Sequence, residues 1–208
     1  MEIYEKAPAK INLGLDVLYK RADDYHELRM VMASVDLADH LKIESLPTDE
    51  IIVTSNKAFL PVDKRNNVYQ AAEILKKRYQ IQKGVKITIE KRIPVAAGLG
   101  GGSSDCAAAL RGLNRLWDLG LSMDELIEIG MQVGTDVPFC LPGTTAKISG
   151  KGEIVEPIAS MPQCWVVLVK PRISVSTRKI FQIVDATQLE HVPIDDLIAA
   201  IEAQDYQA

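Results

Sequence analysis

Pro94-Val95-Ala96-Ala97-Gly98-Leu99-Gly100-Gly101-Gly102-Ser103-Ser104-Asp105 joins a strand pattern to a helix pattern, and its reading decides the fold. Glycines carry no Cβ, so the backbone here can take positive φ angles and approach an anion closely. Successive N–H groups can then converge on phosphate oxygens. A helix beyond the loop adds its unpaired N-terminal amides and the positive end of its dipole. Ser103 and Ser104 are placed to cap that helix or to contact phosphate and a phosphate-bound cation. A loop with capping serines is the plainer alternative from this segment alone. Two other phosphate loops fit worse. A Walker loop needs Lys-Ser or Lys-Thr after its last glycine, and here Asp105 comes after the serines. A dinucleotide fingerprint accommodates Gly98 and Gly100, but its third glycine position is Ser103.

Outward from the loop, Val85, Ile87 and Ile89 alternate with Lys86, Thr88 and Glu90, which is the period of a half-buried strand. On the far side a helix is expected over roughly 104–117, with Leu110, Leu113 and Trp117 on one face. Ser122 and Glu125 have capping-box spacing and open a further helix that Gly134 closes. Asn67 is expected to open another, with Gln70 as its capping-box partner and a stripe of Val68, Ala71, Ala72, Leu75 and Tyr79. Nearer the start, Ile11, Leu13, Leu15 and Val17 alternate with Asn12, Gly14 and Asp16, so one strand face should be buried. Further strands are expected over 28–45 and 51–54, then near 144–149 and 164–170, with helices at about 176–185 and 194–203. Strands cluster first and alternate with helices later, which reads as α+β. Pro157 and Pro162 bracket a short spacer, so residues 1–160 are expected to form one domain. Residues 161–208 are expected to begin a second, unfinished α/β domain.

The composition excludes several function classes. Of 208 residues 47% are hydrophobic and 25% charged, enough for a real core. The net charge of −4 argues against a general nucleic-acid or membrane-surface binder, which needs a basic face. Cys106, Cys140 and Cys164 form no CxxC pair and suit a reducing compartment. No signal peptide and no run of ~20 apolar residues is visible, so a cytoplasmic location is expected. No His, Cys and carboxylate cluster has zinc spacing.

Two short elements complete a chemical constellation. Lys10 and Asn12 lie two apart on a strand and share a face, with Gly14 leaving space beside them. A cation and an amide over a hollow suit an anionic transition state. Gly134-Thr135-Asp136-Val137-Pro138 places Asp136 on a short loop restrained by the proline. Phosphoryl transfer asks mainly for positioning and charge neutralisation. Its parts are an anion cradle, a divalent cation, a cationic side chain and a carboxylate to hold the attacking hydroxyl.

Together these segments resemble the GHMP kinase superfamily (galactokinase, homoserine kinase, mevalonate kinase and phosphomevalonate kinase). The loop at 94–104 is similar to its ATP-phosphate motif. KAPAKINLGLDVL at 6–18, DDYHEL at 23–28 and GTDVPFCLPG at 134–143 resemble one branch in particular. That branch phosphorylates an alcohol carrying a cytidyl diphosphate, in non-mevalonate isoprenoid precursor biosynthesis. The resemblance implies an N-terminal domain with a ribosomal-protein-like β/α fold, ATP as co-substrate and Mg²⁺ as the accompanying cation. It implies Lys10 and Asp136 as the catalytic pair, Asp136 taking the proton from the substrate hydroxyl and Lys10 supporting it. Asn12 matches a substrate contact, Tyr25 and His26 a cytidine-recognition turn, and Thr177 and Phe181 the opposite side of the base. Asn67 and Val68 match the adenine site, beside the loop Pro94–Ser104. A homoserine- or mevalonate-type kinase and a non-catalytic nucleotide-binding fragment are the alternatives. Members of the superfamily run longer and carry a third glycine-rich motif that these 208 residues lack.

Overall fold

The computed structural model describes residues 1–171, 180–181, 183–184 and 189–205. Six strands form one mixed sheet: β1 (Glu2–Lys20), β2 (His26–Leu46), β3 (Ile51–Ser55), β4 (Gly84–Glu90), β5 (Thr145–Gly150) and β6 (Ile154–Pro157). Among the described residues the helices that accompany it include α1 (Asn67–Tyr79), α2 (Gly101–Leu116), α3 (Met123–Met131), α4 (Val137–Cys140) and α5 (Ile194–Glu202). The architecture is α+β, as the element order implied.

The long strand β2 organises the sheet. Antiparallel β1 runs along one side of it for nearly its whole length. On the other side its first half pairs with β5, Leu28–Ala33 against Thr145–Gly150. Its second half pairs with β4, His40–Leu46 against Gly84–Glu90. β3 joins β4 in parallel, with α1 as the crossover, and β6 closes the other edge against β5.

Helices α1 and α2 cover one sheet face. Val68, Ala71, Ala72 and Leu75 of α1 are fully buried there, as their spacing predicted. Cys106 through Leu110 of α2 are buried on every side, and that run is mostly alanine, which lets β1 and β2 approach closely. A second, smaller cluster lies on the other face. There Ile194, Leu197 and Ile201 of α5 pack on Leu13 and Val31, and Gly14 leaves room for the Ile194 side chain.

Several expectations are corrected. Ile11, Leu13, Leu15 and Val17 do not share one buried face: Leu15 is exposed, Leu13 joins the second cluster, and Asp16 and Val17 are both buried. Register shifts at Asn12/Gly14 and Val17/Tyr19 are the cause, because an extra residue in one strand reverses the faces beyond it. The cap of α1 is Asn66, whose side chain accepts from Val68 N–H, while Gln70 donates to the Lys64 carbonyl instead of boxing Asn67. α2 begins at Gly101, so Ser103 and Ser104 lie within its first turn and cap nothing. α3 keeps the Ser122–Glu125 capping box but ends at Met131, ahead of Gly134. β6 was not foreseen. Residues 164–170 form no strand, and Trp165 there is almost wholly exposed. The helix expected over 176–185 lies largely outside the described residues.

Candidate functional site

The glycine bend is a built feature. Gly98 and Gly100 hold φ angles of 73° and 65°, and Ala96 is left-handed as well. Lys10 N–H donates to the Leu99 carbonyl at 3.0 Å, tying β1 to the bend. No side chain caps α2, so the amides of its first turn stay open toward a cleft of about 550 Å³. Residues 94–103 form much of the cleft wall, and Lys10, Asn12, Asp136, Asn67 and Phe181 also line it.

Lys10 is buried and projects across this cleft. Its ammonium donates to Asn12 Oδ1 at 3.1 Å and stands 3.8 Å from Asp136 Oδ2. Asp136 is held in place by the short helix it precedes. Val137, Pro138, Phe139 and Cys140 are buried, Pro138 stiffens the first turn of α4, and Cys140 N–H donates to the Asp136 carbonyl. Val137 seats against Gly130 of α3, where a Cβ would lie 2.6 Å from Val137 Cγ1. The carboxylate itself keeps about a third of its surface open. This arrangement can hold a hydroxyl against a carboxylate while an ammonium and a set of amides face an anion.

Other expected residues lie differently. Ser103 lines the cleft, but Ser104 turns away and donates its hydroxyl to the Pro8 carbonyl at 2.6 Å. Val68 is fully buried, so its side chain belongs to the core. The ring of buried His26 lies 5.5 Å from that of Phe181, tilted by 34°. Tyr25 is half exposed outside the cleft wall, with the Lys151 ammonium 4.6 Å from its ring centre. Lys151 is itself on the wall. Thr177 lies outside the described residues.

The sequence reading missed a buried ionic group beneath the bend. Lys91 Nζ lies 2.6 Å from Asp39 Oδ2 and 2.5 Å from Asp105 Oδ2. Burial pushes the Asp105 carboxyl up to about 7; the Lys91 ammonium opposes that shift and the Asp39 charge adds to it. Its Oδ1 has no partner among the described residues. A charged pair just ahead of Ile93-Pro94, Lys91-Arg92, was the available signal. Arg65 and Asn66, also unforeseen, line the cleft beside Asn67. Burial raises the thiols of Cys106 and Cys140, the latter to about 12, so neither is a nucleophile at neutral pH. Among the described residues no group of three or more His, Cys, Asp or Glu is placed to hold a metal, and no helix is long and apolar enough to cross a membrane.

Residues 66–144 match the family model described as the GHMP kinases N terminal domain. The 4-diphosphocytidyl-2-C-methyl-D-erythritol kinase of Enterococcus faecalis is 64% identical over 206 residues, covering 99% of this chain and 73% of that protein. The kinase of the same name from Bacillus pumilus is 58% identical, covering the whole of this chain and 72% of its own. A crystal structure of 4-(cytidine 5'-diphospho)-2C-methyl-D-erythritol kinase superposes with a TM-score of 0.78 at 32% identity, over 97% of this chain and 72% of that one. A homoserine kinase from Cytophaga hutchinsonii shares the fold, at TM-score 0.74 and 18% identity over 98% of this chain and 68% of that one. With relatives this similar along almost its entire length, the chain belongs to the 4-diphosphocytidyl-2-C-methyl-D-erythritol kinase family of GHMP kinases.

Proposed function

We propose that this chain transfers the γ-phosphoryl group of ATP to the 2-hydroxyl of 4-diphosphocytidyl-2-C-methyl-D-erythritol, giving its 2-phosphate and ADP. The observation that carries the reading is the meeting of Lys10 and Asp136 over the open amides of α2. In this reading the bend and the first turn of α2 cradle the nucleotide phosphates. Asn67, with Asn66 and Arg65, borders the nucleoside end of the same cleft. Asp136 accepts the proton of the attacking hydroxyl as the O–P bond forms. Lys10 stabilises that carboxylate and the charge spreading over the phosphoryl oxygens, and Asn12 orients the Lys10 ammonium by accepting its hydrogen bond.

The residues present fit a phosphate-bound Mg²⁺. It prefers hard oxygen donors and takes only one or two from protein when phosphates supply the rest. Ser103 and Asp136 offer such oxygens on the wall, and a Cβ at Gly134, two residues before Asp136, would lie 3.8 Å from the Ser103 hydroxyl. Bound there, Mg²⁺ would neutralise phosphate charge. The Ser104 hydroxyl is taken by the Pro8 carbonyl, and Asp105 Oδ2 by Lys91.

The cytidine end of the substrate is assigned to the region of Phe181, His26 and Tyr25, where Phe181 and Lys151 reach the wall. The division into residues 1–160 and a second domain, a place in isoprenoid precursor synthesis and a cytoplasmic location belong to the same proposal. Incubation of the chain with ATP, Mg²⁺ and the cytidyl alcohol tests the function. Stoichiometric ADP and an alcohol carrying one added phosphoryl group on the 2-hydroxyl are expected. ATP consumption that ignores the alcohol would remove the kinase reading.

A further inference from the structure

Two lysines crowd the same turn from opposite sides. A Cβ at Gly100 would lie 2.7 Å from Lys10 Cγ, and one at Gly101 would lie 3.0 Å from Lys91 Nζ. Their electrostatic surroundings differ. Lys10 has one loose carboxylate contact and a neutral amide, leaving its charge available to the cleft. Lys91 is held by two carboxylates at hydrogen-bond distance, with side-chain exposures of 4% for Lys91, 0% for Asp39 and 7% for Asp105. A buried trio of this kind carries a large desolvation cost that apolar side chains would avoid. Stability alone is therefore a poor reason for it, and its geometry offers a better one.

The connections of the trio supply that reason. Asp39 belongs to β2, the strand around which the sheet is built. Its Oδ1 accepts from Arg92 N–H at 2.5 Å and Ile93 N–H at 2.8 Å, gripping the chain just before the bend. Its Oδ2 accepts from Lys91. Lys91 in turn donates to Asp105, in the first turns of α2 just after the bend. One carboxylate of the sheet thus fixes the arm leading into the glycine run directly, and the arm leading out of it through a single ammonium. The glycines between have no side chains to hold their own conformation.

We propose that Asp39, Lys91 and Asp105 form a clamp that sets the spacing of the two arms of the glycine bend, so that the α2 amides converge on the nucleotide's phosphate chain. All three are positioning residues, and Lys91 is engaged by its carboxylates instead of by phosphate. The inference rests on the reading of the cleft as a nucleotide site.

The rival role for Lys91, direct phosphate binding, predicts the opposite sign for one variant. Asp39 is fully buried and lies off the cleft wall. If Lys91 bound phosphate, Asp39→Asn would release its ammonium and tighten ATP binding. A clamp predicts weaker binding, confined to the phosphates. Dissociation constants for ATP and for adenosine, measured by titration calorimetry on the parent chain and on Asp39→Asn, separate the cases. The ATP constant is expected to rise about tenfold or more while that for adenosine stays within about twofold. An ATP constant that is unchanged or lower, or an equal loss for both ligands, would overturn the clamp. Asp105→Ala cuts the other arm without touching the Asp39 grip. It is expected to show the same selective loss and decides the matter if Asp39→Asn does not fold. A folded parent chain that binds no ATP would instead overturn the nucleotide-site reading beneath the proposal.

Discussion

The Lys10 ammonium and the Asp136 carboxylate face each other at 3.8 Å, one from the middle of β1 and the other from the residue that caps α4. This separation exceeds a tight ion pair, and Lys10 is the more deeply buried partner. A hydroxyl entering beside Asp136 would therefore find a carboxylate not already saturated by its lysine.

Replacing Asp136 by Asn removes the proton acceptor and keeps the shape. Turnover should fall by something like the ~10²–10⁴ typical of a lost general base, while ATP affinity stays near that of the parent. Steady-state kinetics with nucleotide titration check this.

Gly100→Ala places a side chain at φ 65° and against Lys10 Cγ at 2.7 Å, so it both strains the bend and displaces the ammonium. Gly98→Ala incurs comparable strain at φ 73° but meets nothing within 4 Å. Each should lower stability by about 1–2 kcal/mol. Turnover per bound ATP should fall further for Gly100→Ala, which melting curves and kinetics on both variants will show.

Gly130→Ala gains helix propensity worth about 1 kcal/mol. It also drives a methyl to 2.6 Å from Val137 Cγ1, a stiff, fully buried side chain. Overpacking of that kind costs about 1–3 kcal/mol, so the packing term wins and α4 shifts with Asp136. Denaturation should show a modest net loss of stability, with turnover falling more than the stability change alone explains.

Asp105 gives the stability a pH dependence of definite sign. Its carboxyl is raised from the ordinary 3.8 to about 7, so the folded state holds the proton more tightly than the unfolded one. That contribution is complete below about pH 4 and is lost as the pH climbs through about 7. Asp105→Asn should therefore gain progressively on the parent as the pH rises between those limits. Denaturation midpoints of both chains at pH 5 and pH 8, without divalent cations, should shift in the variant's favour at the higher pH.

Phe181→Ala removes the ring that stands beside His26 on the cleft wall. A lost base stack should cost about 1–3 kcal/mol of affinity for the cytidyl substrate. The KM for ATP should not move. Varying each substrate separately at saturating levels of the other gives both constants.

Much of the fold was legible because its signals are short-range. Val85, Ile87 and Ile89 fell on the buried face of β4, and Ser122 with Glu125 capped α3, since each depends on neighbours within a few residues. The failures are of another kind. Leu13 and Leu15 went astray because bulges in β1 reverse its faces, and a bulge is set by the partner strand. Tyr25 and His26, adjacent in the turn, parted: His26 is buried against Phe181 and Tyr25 is held outside by Lys151.

What the sequence by itself determined was the glycine bend, the helix behind it and the two short elements bearing Lys10 and Asp136, because steric freedom and alternation are properties of adjacent residues. Tertiary structure alone decided which lysine meets which carboxylate. Lys10 presses on Gly100 and Lys91 on Gly101, yet one faces Asp136 loosely and the other is locked between Asp39 and Asp105. Coulomb attraction falls steeply once groups part in water but persists under burial, so the roles of the two ammoniums are set by register and packing.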